Sequence, residues 1–237
     1  MRKREELSRS TADGDVRIDM ALDQFGPFAV MFEEGELDVP GYLRLLHLHT
    51  PESQIVIDRV ERALSAGDPA RWVAALFRDA DWRPHLVGAI ALLLDQGETL
   101  DRNLLWCAID SGSWVTPQLI VAAVFVDPSF PEKARVRVDE QCPVLVPVSL
   151  TPAERHSATG PDGLLGRRAK MLASILAASA SIRSLERWAS DLQRDVRIEH
   201  LLKEDEWNGS DKIVASWMTN VRRAFLERGH ILAPKAT

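Results

Sequence analysis

One pattern occurs twice in this chain and constrains its fold more than any other feature of the sequence. The first copy spans residues 71–95 and the second spans residues 105–127. Each copy has helix-forming and apolar residues on both sides of a short turn, which predicts a helix, a turn and a second helix. Such a unit cannot bury its apolar face alone, so its repetition is typical of stacked helical repeats. The sequence therefore predicts an all-α fold and, within that class, an α-solenoid of helical hairpin repeats.

The two copies correspond position by position, with one residue fewer in the turn of the second copy. Proline follows the turn in both, because the first turn of a helix tolerates a missing N–H group. The corresponding pairs are Trp72 and Trp106, Ala74 and Ala108, Trp82 and Trp114, Pro84 and Pro117, Leu86 and Leu119, and Ala89 and Ala122. Since repeats of this kind stack in register, we expect the two inter-helix turns to lie side by side at one edge of the solenoid.

The rest of the chain is predicted to join this repeat pair in a single α-helical domain over residues 16–232, after a flexible leader over residues 1–15. Apolar residues at helical spacing predict the C-terminal helices over residues 163–229. Residues 129–150 break the pattern, since they contain prolines and valines that alternate along the chain. We predict an irregular or extended insertion there, because alternation of apolar residues is the pattern of a strand.

The charge of the chain limits the classes of partner. A formal net charge of −6 disfavours a dedicated nucleic-acid-binding protein, because binding to phosphates requires an excess of Lys and Arg. The charge is uneven: residues 1–40 hold 5 Arg and Lys against 10 Asp and Glu, whereas residues 164–237 hold 13 against 9. This pattern fits either solvated helix faces or an acidic end and a basic end that meet different partners. Arg167 and Arg168 stand near a predicted helix start, where either anion binding or a capped surface helix is expected.

No stretch of the sequence indicates export or a membrane span. Residues 1–15 have no apolar core of the kind found in signal peptides, and the longest apolar run, residues 86–94, is too short for a bilayer-spanning helix. We therefore expect a cytoplasmic protein without membrane contact. The two cysteines, Cys107 and Cys142, are too few for a disulfide framework. Cys107 lies on the apolar side of a predicted helix, which indicates a buried free thiol.

The motifs of common catalytic and cofactor sites do not occur in the sequence. His47 and His49 are two residues apart, which puts them on different faces of a helix, so we predict no metal site and no cofactor. His85, which corresponds to Gln118 in the second copy, is expected to be a surface or capping residue. No Gly-x-Ser-x-Gly elbow and no phosphate-binding loop occur. These absences favour a non-catalytic protein. The alternative of an active site formed by side chains that are distant in sequence stays open.

The two inter-helix turns carry the residues that we predict for partner binding. They are Asp79, Asp81 and Trp82 in the first turn, and Asp110 and Trp114 in the second. Exposed tryptophans act as anchors of protein interfaces, and charged groups around them give specificity and fast association. The alternative is that each tryptophan packs back on the helix that follows it, as a hydrophobic staple does.

On the paired positions given above, the chain resembles bacterial HEAT-like α-solenoid proteins and, more loosely, the small helical-repeat immunity proteins that neutralise toxins. The resemblance is carried by the repeat pair, residues 71–95 and 105–127. It implies a protein that works by binding another protein. Some HEAT-like solenoids are DNA glycosylases, and in that function Asp110 would supply the catalytic carboxylate and Trp114 the aromatic side chain.

Three functions therefore stay open. The leading hypothesis is a protein-binding module of the immunity or regulatory type, whose acidic edge covers a basic surface of a toxin or an enzyme. The alternative is a nucleic-acid-binding protein or DNA-processing enzyme that uses the more basic C-terminal third. A structural subunit of a larger assembly is the third. The sequence does not indicate an oligomeric state.

Overall fold

The computed structural model describes most of the chain between residues 22 and 235. The described residues are 22–33, 39–141, 164–195, 198–199, 202, 209–230 and 232–235. Within these ranges the regular structure is helical and contains no strand, which confirms the all-α prediction. The predicted leader, residues 1–15, lies outside the described residues, as do Cys142 and the second half of the predicted insertion, residues 142–150.

A 3-10 helical segment that is interrupted by a kink at Gly26 precedes the α-helices of the described residues. The segment spans Leu22–Met31, and the α-helices are α1 Gly41–Leu45, α2 Pro51–Leu64, α3 Pro69–Arg78, α4 Trp82–Asp95, α5 Asn103–Asp110, α6 Thr116–Val126, α7 Phe130–Gln141, α8 Leu164–Ala180, α9 Glu186–Gln193 and α10 Ser210–Glu227. None of these helices combines the length and the apolar character that crossing a lipid bilayer requires.

Side-chain caps fix the starts of α2 and α3. Thr50 accepts a hydrogen bond of 3.3 Å from the Ser53 N–H at the start of α2. Asp68 accepts one of 3.2 Å from the Arg71 N–H at the start of α3. Proline follows both caps and lacks the N–H group that would be unpaired there. Each cap stabilises its helix by about 1 kcal/mol, which explains why both helices begin where the sequence pattern begins.

The two copies of the repeat are two helical hairpins that pack side by side. α3 and α4 form the first hairpin and α5 and α6 the second, with α3 against α5 and α4 against α6. Gly88 of α4 lies so close to the Phe77 ring of α3 that an added Cβ would be 2.9 Å from it. α8 and α10 also pack on α6, and all of its residues are buried. Beyond these two hairpins, the α-solenoid stays a prediction.

α7 corrects the prediction of an irregular or extended insertion over residues 129–150. Phe130–Gln141 is a regular helix. Phe130, Ala134 and Val138 are buried, whereas Val136 is 50% exposed. Over residues 130–141 the prediction was wrong, because the buried positions are spaced by four residues, as on one face of a helix. Proline at position 131 falls in the first helical turn, where it is tolerated.

Cys107 is exposed, so the prediction of a buried thiol was wrong. Its neighbours in α5 are buried on both sides in sequence, namely Leu105, Trp106, Ala108 and Ile109. These residues form the stripe that faces the core, and the rotation of about 100° per residue in an α-helix leaves position 107 on the outer face.

Candidate functional site

Stacking of the two hairpins brings the tryptophans of their inter-helix turns into contact. The ring centroids of Trp82 and Trp114 are 4.9 Å apart, and the ring planes are inclined by 46°. Trp82 is half-buried, whereas 53% of Trp114 is exposed. An exposure of this size does not fit a staple residue that packs back on its own helix. We call these two residues the tryptophan pair; it presents one indole to solvent and supports it with another.

The side chains of Tyr42 and Arg83 hold Trp82 in place. Tyr42 meets the Trp82 ring edge-on, with 5.7 Å between ring centroids. The Arg83 guanidinium lies 5.1 Å from the centre of the Trp82 ring, and its Nε–H donates a hydrogen bond of 3.0 Å to the Tyr42 hydroxyl. Aromatic and cation–π contacts of this kind fix a ring in one orientation. Trp114 is therefore supported by a side chain that cannot move freely.

His85 lies beneath the two turns and is buried, so its prediction as a surface or capping residue was wrong. Its Nε2 is 2.9 Å from the Asp79 carbonyl oxygen, and its Nδ1 is 2.8 Å from the Ser113 hydroxyl. Burial lowers the pKa of His85 below its ordinary value of 6.5, although the Asp79 carbonyl acts in the opposite direction. In the neutral ring, Nε2–H donates to the carbonyl, which can only accept, and Nδ1 accepts from Ser113.

The predicted carboxylates of the first turn are held by local hydrogen bonds. Asp81 caps α4: it accepts a hydrogen bond of 2.9 Å from the Arg83 N–H and forms an ion pair of 2.6 Å with the Arg83 guanidinium. Asp79 accepts from the Asp81 N–H at 2.7 Å and from the Gln24 side chain at 2.9 Å. No described cation forms an ion pair with Asp79, so its negative charge is not compensated locally. Asp81 is compensated by Arg83.

Asp110, the predicted carboxylate of the second turn, binds a residue that the sequence did not suggest. The Arg137 guanidinium of α7 donates two hydrogen bonds to its carboxylate, at 2.7 and 2.6 Å. The same guanidinium lies 4.2 Å from the centre of the Trp106 ring. The structure thus brings Trp82 and Trp114 together and joins Asp79 to Asp81, but it joins Asp110 to α7. The carboxylate that the glycosylase resemblance would make catalytic is thus held in a bidentate pair with Arg137.

Asp127 fixes the position of α7, which carries Arg137. The buried carboxylate accepts hydrogen bonds from the Trp106 indole at 2.7 Å, the Lys133 ammonium at 2.8 Å and the Ser129 N–H at 2.9 Å. Burial alone would raise the pKa of Asp127, but these three donors outweigh burial and lower the pKa below its ordinary value of 3.8. Asp127 is therefore ionised near neutral pH and ties α5, α6 and α7 together.

Two clefts flank the α5–α6 turn. The first has a volume of about 480 Å³ and is lined by Leu46, His47, Trp114, Pro117, Gln118, Lys170, Ser210, Lys212, Ile213, Ser216 and Trp217. The second has a volume of about 550 Å³ and is lined by Ile109, Asp110, Ser111, Gly112, Val136, Arg137, Glu140, Arg167, Arg168 and Met171. We call them the tryptophan cleft and the arginine cleft. Basic side chains line both, so the surroundings of Trp114 are less acidic than the sequence of the two turns suggested.

The described residues hold no group of three His, Cys, Asp or Glu side chains that is arranged to bind a metal ion. His47 and His49 follow α1 in an irregular segment, with 5.7 Å between their ring centroids. Their assignment to different faces of a helix was therefore wrong. The His49 Nδ1 lies 3.2 Å from the His47 carbonyl oxygen.

The sequence did not predict three members of the two clefts, namely Arg137, Lys170 and Gln118. Arg137 was assigned to an extended segment, and recognition of the helical stripe of α7 would have placed it next to the buried face of that helix, although not beside Asp110. Lys170 and Gln118 stand among apolar residues of buried helices. A polar residue in such a run is a signal that it meets a polar group or a cavity.

No protein-family profile, no curated protein and no solved structure matches this chain.

Proposed function

We propose that this protein binds another protein through the tryptophan pair, with Trp114 as the anchor. The supporting observation is the exposure of Trp114, 53%, on a ring that lies 4.9 Å from Trp82. Tryptophan is among the residues that most often contribute large binding energies at interfaces. An anchor that is already held by a second ring also loses less side-chain entropy on binding.

The more specific form of this function is an immunity or regulatory protein that covers a basic surface of a cytoplasmic toxin or enzyme. Asp79 stands three residues before Trp82 and has no ion-pair partner among the described residues. Its charge is thus available to a basic partner, whereas Asp81 and Asp110 are compensated by arginines. Charge next to an aromatic anchor increases the association rate and selects the partner.

Capture of partners from the lysate of the source cell tests this function. The tagged protein, its Trp114→Ala variant and a control, Leu226→Ala, are compared after nuclease treatment, with bound proteins identified by mass spectrometry. Leu226 is 64% exposed and lies outside the two turns. We expect one stoichiometric protein with the wild type and with Leu226→Ala, and a loss of about 10-fold or more with Trp114→Ala. Asp79→Asn is expected to slow association with a basic partner.

A partner that binds Trp114→Ala as well as the wild type would remove the tryptophan pair from the interface. Recovery of no protein, or of nucleic acid alone from untreated lysate, would contradict the protein-binding function. Circular dichroism of each variant shows that a loss of capture does not come from unfolding.

The arginine cleft favours a second candidate, nucleic-acid binding. Arg137, Arg167 and Arg168 line it, and no hydrogen bond or ion pair joins Arg167 or Arg168 to another described residue. Arg167 packs along Gly112, where an added Cβ would lie 2.5 Å from its Cδ. Guanidinium groups next to a turn without side-chain bulk are suited to phosphate oxygens.

Fluorescence anisotropy with a labelled single-stranded and a labelled double-stranded oligonucleotide tests this candidate. If the arginine cleft binds phosphate, affinity falls steeply as salt concentration rises, and the variant with both Arg167→Gln and Arg168→Gln has a shallower dependence on salt. Absence of binding at low salt would eliminate this candidate. The net charge of −6 makes protein binding the preferred function of the two.

A further inference from the structure

The tryptophan cleft is lined by the residue of the second hairpin that corresponds to His85 of the first. In the first copy of the repeat, His85 follows Pro84 and binds Ser113 of the next turn. In the second copy, the corresponding residue is Gln118, which follows Pro117. Gln118 is only 6% exposed and lines the tryptophan cleft. No hydrogen bond joins its amide to another described residue, and the amide faces the open cleft.

An amide on the wall of an open cleft hydrogen-bonds to water, and a ligand that displaces this water has to offer the amide a polar atom instead. In the corresponding place of the first copy, the buried side chain is satisfied by a hydroxyl from the neighbouring hairpin. A bound molecule with a polar group at this point would satisfy Gln118 in the same way.

The cleft is also electrostatically favourable to an anion. Lys212, which is exposed, lines it. Lys212 lies in the first turn of α10, and the N-cap residue of this 18-residue helix is Gly209, which has no side chain to cap it. The N–H groups of a first helical turn and the helix dipole attract negative charge. The acidic residue of that turn, Asp211, does not line the cleft.

The walls of the cleft suit a flat apolar group. Trp114 contributes an exposed indole, and Trp217 is buried, with its indole N–H committed to the Leu45 carbonyl oxygen at 3.2 Å. Leu46 and Pro117 add further apolar surface. The volume of about 480 Å³ is within the range of small-molecule sites, which are mostly apolar with a few polar groups.

We propose that the tryptophan cleft binds a small aromatic anion. Its ring would lie against Trp114, its carboxylate or phosphate would meet Lys212 and the start of α10, and the Gln118 amide would hydrogen-bond to one of its polar atoms. This site requires no protein partner, so it stands or falls independently of the proposed function.

Isothermal titration calorimetry on the full chain tests the site with three probes that share a naphthalene ring. They are 1-naphthoate, 1-naphthyl phosphate and the neutral 1-naphthamide. We expect saturable binding of at least one anion with a Kd below about 1 mM, and binding of the amide about 10-fold weaker or undetectable. The anion that binds with the lower Kd identifies the preferred head group. If neither anion binds, or if the amide binds as tightly as both anions, the site is refuted.

Substitutions locate the binding. Trp114→Ala and Lys212→Gln change residues at the surface, so the fold should tolerate both, and each is expected to weaken anion binding about 5-fold or more. Gln118→Leu is expected to weaken binding, because the variant has no amide to hydrogen-bond to the anion. Arg187→Gln is the control, since the Arg187 side chain is 97% exposed on α9. Equal affinities in Trp114→Ala, Lys212→Gln and Arg187→Gln would place the anion elsewhere and overturn the assignment.

Discussion

The His85 imidazole and the Ser113 hydroxyl are joined by a hydrogen bond of 2.8 Å between Nδ1 and Oγ, across 28 residues of sequence. The other ring nitrogen is bound to the Asp79 carbonyl oxygen, so one buried ring links the end of α3 to the turn before α6. A neutral imidazole has one donor and one acceptor, and both are used here. The contact between the hairpins therefore includes a buried polar group that is satisfied only by residues of both.

We expect the free energy of unfolding to decrease as the pH falls below 6.5, because of His85. The pKa of His85 is lowered in the folded state, so the unfolded chain takes up a proton at pH values where the folded chain does not. The stabilisation is complete above pH 6.5 and is lost as the pH falls toward the lowered pKa. The slope is at most about 1.4 kcal/mol per pH unit for this one group. Urea unfolding between about pH 5 and 8 measures it.

His85→Gln serves as the comparison, because it removes the titration and keeps a donor and an acceptor. The slope below pH 6.5 should become flatter in this variant. His49→Gln, at an exposed position, should retain the slope of the wild type. If His85→Gln and the wild type respond to pH alike, the buried imidazole is not the titrating group.

Ser113→Ala is expected to lower the free energy of unfolding by about 1–2 kcal/mol at neutral pH, because it leaves the His85 Nδ1 buried without a donor. Ser111→Ala is the matched control two residues away. The Ser111 hydroxyl donates to the Ala108 carbonyl oxygen of its own helix, at 2.8 Å, and the residue is exposed. Urea unfolding of both variants at one pH measures the difference. If both variants lose the same free energy of unfolding, the hydrogen bond between His85 and Ser113 stabilises the fold no more than the local bond of Ser111 does.

The helices of the repeat pair could be predicted from the sequence because their determinants are local. Asp68 with the proline after it, and the apolar spacing in each copy, fix where these helices begin and which faces are buried. α7 was missed because its valines fit both the alternation of a strand and the spacing of a helix. Only burial at positions 130, 134 and 138 decides between the two. His85 was misjudged for another reason. Whether a polar residue after a proline is exposed depends on what packs over it, which is set by the neighbouring hairpin.

The candidate site was predicted only in part. Equivalent positions in stacked repeats meet at one edge, so contact between Trp82 and Trp114 follows from the repeat. The pairing of Asp110 with Arg137 does not follow from the repeat, because these residues belong to elements whose relative position depends on tertiary packing. The clefts could not be predicted from the sequence either. They arise where α8 and α10, distant in sequence, approach α5 and α6.

Trp82→Ala is expected to destabilise the fold more than Trp114→Ala. Trp82 is half-buried and contacts Tyr42, Arg83 and Trp114, so its loss should cost about 2 kcal/mol or more. Trp114 is more than half exposed, and its loss should cost less than about 1 kcal/mol. Urea unfolding measures both. A larger cost for Trp114 would mean that it supports the fold and is not mainly a surface for binding.

Asp127→Asn is expected to cost about 2 kcal/mol at neutral pH, because the amide cannot match the hydrogen bonds that a buried carboxylate accepts from Lys133 and Trp106. The pKa of Asp127 is lowered below 3.8 in the folded state, so its stabilisation is present above pH 3.8 and is lost as the pH falls further. The difference between the variant and the wild type should therefore shrink below pH 3.8. Asp110→Asn breaks a more exposed pair and should cost less than about 1 kcal/mol.

Gly26→Ala is expected to lower the free energy of unfolding by about 3 kcal/mol. Gly26 has a φ of 52° and a ψ of −127°, a conformation that residues with a Cβ rarely adopt. A Cβ there would also lie 2.7 Å from Cδ2 and Cε2 of the Trp72 indole, which would have to move. Gly67→Ala separates the two effects, because Gly67 has a φ of 68° but the atom nearest to an added Cβ, the Trp72 Nε1, would be 4.0 Å away. Urea unfolding should give a loss for Gly67→Ala of about 1 kcal/mol. Equal losses of unfolding free energy would mean that backbone strain alone explains both. The close approach of Gly26 to Trp72 would then add no cost of its own.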